Sequence, residues 1–190
     1  MGAHLDNAPG HLGRGREAGL EAGFCGCHLR SGQKGGQAVG LTRKGKGTKV
    51  MMVIDGAGIP LGTLVESAQR AEVQLAEPVL DRIRVPRTRG RPKKRPRVLV
   101  ADKGYDSESL RRRLRSRGIR PCIPRRRNAR PRKGPKPDLT PYRHRWLVER
   151  TFAWLGNFRR LVVRWERNHY TYLAFLLIAC LLISMRAILG

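Results

Sequence analysis

The chain has 190 residues, 40% of them hydrophobic, enough for one domain with a buried core. Lys and Arg number 40 against 14 Asp and Glu, giving a formal net charge of +26 and a pI near 11.6. Such an excess repels itself unless a polyanion is near, so DNA or RNA is the first partner to consider and an anionic membrane the second. The cysteines Cys25, Cys27, Cys122 and Cys180 are scattered, and the last lies in an apolar run. That pattern argues against a secreted disulfide framework and for a reducing cytoplasm. Cys25-x-Cys27-His28 has no second ligand pair at zinc spacing.

Residues 1–32 are rich in Gly, His and Arg, with little periodicity and no apolar signal-peptide core. They are expected to be poorly ordered, with one domain over residues 33–190. Gly32 to Lys49 is a Gly/Lys stretch without the Walker spacing. It reads as a solvated loop whose glycines let backbone approach a phosphate, with Lys34, Arg43, Lys44, Lys46 and Lys49 supplying charge. Val50–Ile54 and Ile59–Val65, joined by Asp55-Gly56-Ala57-Gly58, predict a β-hairpin with Asp55 as turn former. Ser67 to Ile83 predicts an amphipathic helix with Val73, Ala76, Leu80 and Ile83 on one face. Arg84 to Arg97, RVPRTRGRPKKRPR, is a Pro-punctuated basic loop, either solvated or laid along a phosphate backbone.

Val98–Ala101 predicts a buried strand ending at Asp102. A helix from Glu108 to Arg117, capped by Asp106 or Ser107 and stopped at Gly118, leads to a strand at Ile119–Ile123. This is a βαβ unit, and ligands collect outside the carboxyl ends of its strands, where Asp102 lies. A plain turn or cap role is the other reading of Asp102. Pro124 to Thr140 is a second basic loop. Pro141 to Phe158 predicts a helix capped by Thr140, with Trp146, Leu147, Phe152, Leu155 and Phe158 as its buried stripe. Tyr142, Arg145 and Glu149 share one face, and the simplest reading of Glu149 is an i,i+4 pair with Arg145. The helical pattern runs on from Asn157 to Trp165. Asn168 to Leu189 predicts a long helix, apolar nearly all round and therefore deeply packed. Its run from Tyr170 to Met185, about 16 residues, falls short of the ~20 needed to span a bilayer, so a buried core helix is the reading and a membrane anchor the alternative.

Asp102 and Glu149 stand out chemically. A strand-end carboxylate and a helix carboxylate that converge can hold one or two Mg²⁺ ions for phosphodiester chemistry. That arrangement needs a third acid, usually on the first strand. ADKGYDS (Ala101 to Ser107) and YRHRWLVERTFAWLGNFRRL (Tyr142 to Leu161) resemble the second and third acid motifs of bacterial insertion-sequence DDE transposases, families four and five. GQKGGQAVGLTRKGKGTKVMMVIDGAGIPLG and SAQRAEVQLAEPVLDRIRVPR are similar to the segments that follow the first acid.

The resemblance implies an α/β, RNase H-like fold with a mixed central sheet flanked by helices and a long C-terminal apolar helix. It implies Mg²⁺-dependent cleavage and strand transfer in DNA transposition, with Mn²⁺ as the alternative ion. The implied partners are transposon-end and target DNA, with a homodimer as the assembly it allows and no membrane. The implied location is the bacterial cytoplasm, at the nucleoid. By carry-over Asp102 is the second acid and Glu149 the third, both metal ligands. Tyr142 and Arg145 match the Y-x2-R-x3-E signature and face DNA. Gly156 stands where the signature has a basic residue, so Arg159 and Arg160 take over that DNA contact, and Lys44, Lys46 and Lys49 add others. The nearest match to the first acid is Glu21, in Leu20-Glu21-Ala22-Gly23-Phe24, one methylene longer than Asp. Relatives carry a preceding DNA-binding region, so the chain reads as a truncated or frame-shifted copy. The alternative function is an inactive remnant that keeps only nucleic-acid binding.

Overall fold

A computed structural model of the protein describes residues 20–127 and 138–189. The chain begins with four strands: β1 (Ala22–Gly32), β2 (Gly40–Thr42), β3 (Gly45–Ile54) and β4 (Pro60–Ser67). Helix α1 (Glu72–Leu80), β5 (Val98–Val100), α2 (Glu108–Ser116) and β6 (Arg120–Cys122) follow. Helices α3 (Trp146–Gly156) and α4 (Arg159–Val162), the short β7 (Val163–Arg164) and α5 (His169–Leu189) complete it.

One mixed sheet runs β2-β3-β1-β5-β6, with β4 also on β3 and β7 also on β1. β1 is antiparallel to β3 and parallel to β5, and β5 is parallel to β6. The hairpin and the βαβ unit are therefore as the sequence predicts, but the expected solvated loop over residues 32–49 is corrected: β2 and residues 45–49 of β3 are paired strand within it. Strand alternation divides the sheet residues between two cores. Phe24, Val50, Met52, Ile54 and Val100 face α3 and α5. Cys25, Met51, Val53, Leu99 and Ala101 face α1 and α2. Helices thus cover both faces, as a near-continuous apolar strand requires.

Several expectations are corrected. Residues 22–32, expected to be disordered, form β1, the strand at the centre of the sheet. Residues 1–19 of that expectation lie outside the described residues. The helix expected from Ser67 begins at Glu72, because Ser67 still pairs with Thr48 at the end of β4. Thr140 opens a 3-10 turn over Thr140–His144 instead of capping an α-helix, and α3 starts only at Trp146. Trp146 is exposed, stacked on the Arg150 guanidinium that also lies over Trp154. The helical pattern breaks after Gly156: Phe158 takes extended backbone (φ −89°, ψ 99°) and turns its ring toward the core, and α4 restarts at Arg159.

Helix α5 is not buried all round. Tyr172, Leu176, Ala179, Cys180 and Ile183 form one packed stripe. Leu177, Ile178, Leu181, Leu182, Met185 and Ile188 face outward. By length and composition alone α5 could cross a membrane, yet its inner stripe closes the core over β4 and α3.

One feature of the sheet creates a site. On the edge of β1 away from β3, β5 pairs with residues 22–24 and β7 with Ser31 and Gly32. Between them the edge from Cys25 to Arg30 has no strand partner among the described residues, and α3 packs against it.

Candidate active site

Helix α3 is held to the β3–β4 hairpin. Thr151 Oγ1 donates to Gly58 O (3.0 Å), and Arg150 Nη2 donates to Ala57 O (3.0 Å). The turn is itself stiff, because Asp55 Oδ1 accepts from the N–H groups of Ala57 (2.8 Å) and Ile59 (2.9 Å). Asp55 is thus the turn former expected. With α3 fixed, Val148 and Phe152 pack onto β1 and Glu149 stands at the rim of the gap.

Asp102 reaches the gap from β5. Its Oδ1 accepts the Gly104 N–H (2.6 Å), so the carboxylate also serves as the turn cap that plain reading allowed. The following turn is anchored by Asp106, which pairs with Arg111 at 2.7 Å and accepts the Arg126 N–H at 2.8 Å. Burial alone would raise the Asp106 pKa, but these hydrogen bonds and the neighbouring arginines outweigh it and hold the pKa below the usual carboxylate value. Asp102 Oδ2 lies 3.7 Å from Arg145 Nη2, while Arg145 Nη1 donates to Glu149 Oε1 at 2.6 Å. One guanidinium therefore spans the strand-end and the helix carboxylate. The i,i+4 pair exists, and it is half of a three-residue bridge.

The cavity at this point has a volume of about 510 Å³. Asp102, Arg145 and Glu149 line one side, and the open edge of β1 (Cys25, Gly26, Cys27, His28, Arg30) lines another, with Glu72 from α1. Burial pushes the Cys25 thiol up to about 12 and raises Cys27 as well, so neither is a thiolate nucleophile near neutral pH. Burial, with Arg30 beside it, lowers the pKa of His28.

The remaining expected site residues are elsewhere. Glu21 precedes β1, with its side chain 71% exposed and paired to Arg97 at 3.3 Å. It is not a cavity residue: the gap opens several residues further along the strand. Tyr142 packs its ring against the α3-side core. Lys44 and Lys46 are exposed on the β2–β3 hairpin, whereas Lys49 Nζ donates to Arg70 O at 2.5 Å. Arg159 is exposed on α4, and Arg160 pairs with Glu166 at 3.5 Å. The β1 edge carried no signal in the sequence, because Gly, Cys and His offer no carboxylate to notice and its place next to β5 is set by long-range pairing. Among the described residues, no group of three or more His, Cys, Asp or Glu side chains could hold a metal ion together. The donors that converge are two carboxylates, both occupied by Arg145, which is a short set for two-metal chemistry.

Comparison with known proteins decides the family. The family model described as the transposase DDE domain matches residues 26–184. The chain belongs to the transposase DDE domain family. It is 44% identical over 138 residues to a Burkholderia cepacia protein assigned as the transposase of insertion sequence element IS402. That alignment takes in 72% of this chain and 62% of the relative, so the chain spans less than two thirds of the relative's length. A piggyBac transposase, solved in a synaptic complex with hairpin DNA, shares the fold at a TM-score of 0.55 and 12% identity. The overlap covers 88% of this chain and 46% of that one. In this transposase domain the matched segment runs from Gly26 on the open edge of β1 through most of α5, and so takes in the cavity lining except Cys25.

Proposed function

We propose that this transposase domain acts on DNA in the movement of an insertion sequence, with phosphodiester cleavage and strand transfer as the reaction. Asp102 and Glu149 are the carboxylates we assign to the reacting phosphate. The observation that carries this is the Arg145 bridge, because it shows a strand-end and a helix carboxylate converging on one cavity. The sheet order, with antiparallel β4-β3-β1 followed by parallel β5 and β6, supports an RNase H-like reading of the fold. A divalent cation, Mg²⁺ or Mn²⁺, is the cofactor of this reaction class, though the two carboxylates here are a short donor set for it.

The chain's own residues supply recognition. Arg145 presents a planar fork that suits a phosphate as well as a carboxylate, so an entering strand can take the guanidinium from Glu149. The loop from Arg84 to Arg97 and the β2–β3 hairpin with Lys44 and Lys46 offer charge to the backbone. We assign transposon ends and target as the DNA partners, a homodimer as the assembly, and the nucleoid as the place of action.

Fluorescence anisotropy of a labelled duplex tests the reading. The native chain should bind with an affinity that falls steeply with salt, and Arg145→Ala should weaken it by about tenfold, the loss of one charge-assisted contact. DNA affinity indifferent to Arg145→Ala would remove the cavity from the DNA path.

A further inference from the structure

Strand β1 presents no carboxylate at the one position where the cavity calls for it. β1 and β5 run in parallel with Ala22 beside Val98, Gly23 beside Leu99 and Phe24 beside Val100. Continued two places beyond the last paired residues, that register would bring Gly26 level with Asp102, and both line the cavity. Side chains alternate along both strands. Phe24 and Val100 belong to the core under α3, and Cys25 and Ala101 to the core under α1. Position 26 therefore faces α3, as Asp102 does, and Glu149 descends from that helix.

The direction is also visible in the packing. A Cβ placed on Gly26 would point at α3, 2.8 Å from Val148 Cγ2 and 3.1 Å from Phe152 Cε2. Val148 immediately precedes Glu149. A side chain at position 26 would thus emerge between Asp102 and the turn of α3 that carries Glu149.

We propose that Gly26 marks the missing first ligand of this site: a carboxylate there would join Asp102 and Glu149 in a three-carboxylate divalent-cation site that the native chain holds only in part. This rests on the reading of the cavity as the DNA-processing site and deepens it. Two other acids are worse placed. Glu21 lies five residues back along an extended chain, roughly 17 Å away, and pairs with Arg97. Glu72 lines the cavity, but it extends from α1 on the other face of β1.

The test is Mn²⁺ binding by the full chain, read from the electron paramagnetic resonance signal of the free ion. Gly26→Asp should bind Mn²⁺ at least about tenfold more tightly than the native chain, since even an outer partner of a metal ligand changes affinity by that order. Gly26→Asn, of equal size and no charge, should not, and Asp102→Asn or Glu149→Gln in the Gly26→Asp chain should abolish the gain. Because the added Cβ crowds Val148, Gly26→Asp/Val148→Ala is made alongside, with folding checked by circular dichroism. A folded Gly26→Asp/Val148→Ala chain with no gain over Val148→Ala overturns the proposal. So does a gain that survives Asp102→Asn, or a native Mn²⁺ site lost in Glu21→Gln. Failure of the underlying reading is separate: it shows as DNA affinity indifferent to Arg145→Ala.

Discussion

Arg164→Met should destabilise the protein by about 3 kcal/mol. Arg164 is 1% exposed, at the junction of β7 and α5. Its guanidinium donates to Gln37 O (2.6 Å), Ala38 O (3.2 Å), Thr48 Oγ1 (2.6 Å), Glu166 O (3.0 Å) and Arg167 O (3.3 Å). It therefore ties the Gly-rich loop after β1 to the start of α5, and lies over the Tyr172 ring at 5.6 Å. At about 1 kcal/mol net per hydrogen bond, the lost bonds amount to about 5 kcal/mol. Removing a desolvated cation returns part of this, about 2 kcal/mol, which leaves the net loss of about 3. For a domain of this size that lowers Tm by about 6–12 °C. Urea unfolding followed by tryptophan fluorescence measures it. Arg164→Lys should recover only a fraction, since an ammonium cannot reach donors' partners spread around a planar fork. A loss below about 1 kcal/mol, or full recovery with Lys, would refute the idea that this one side chain joins the loop to the C-terminal helices.

Thr151→Val keeps the shape of the side chain but leaves Gly58 O without its donor, and should cost about 1–2 kcal/mol in urea unfolding. Asp106 has a depressed pKa in the folded state, so its stabilisation is present above the ordinary carboxylate pKa and is lost as pH falls through the lower folded value. Asp106→Asn should be less stable than native at neutral pH, with the difference shrinking below about pH 4, measured as Tm against pH. In the absence of divalent cations, Asp102→Asn/Glu149→Gln removes two negative charges from the cavity and should tighten binding of a duplex, read by anisotropy.

Elements with strong local signals were legible in the sequence. The Asp55 turn fixes the β3–β4 hairpin by its own hydrogen bonds, and the Ser107 hydroxyl accepts the Leu110 N–H to start α2. Asp102 was conspicuous at a strand end, and Glu149 among bases. β1 was not legible: it is flanked on both sides in the sheet, and its run of Gly, Cys and His shows no alternation. Helix α5 was over-read because composition cannot say how many of its faces find partners, and only one stripe does. Trp146 looked like core but stacks on Arg150 at the surface. Glu21 drew attention as the nearest upstream acid. The position beside Asp102 is set by the pairing of β1 with β5, more than 70 residues apart in sequence, and the residue there is a glycine.

Nicking of supercoiled plasmid DNA in Mn²⁺ brings the cavity, its two carboxylates and the β1 position into one assay. Gly26→Asp/Val148→Ala should nick measurably faster than Val148→Ala alone, and adding Asp102→Asn or Glu149→Gln should return the rate to that of Val148→Ala. Equal rates with and without the position-26 carboxylate, or nicking that persists without Asp102 and Glu149, would contradict the assignment of this cavity as the site of phosphodiester chemistry.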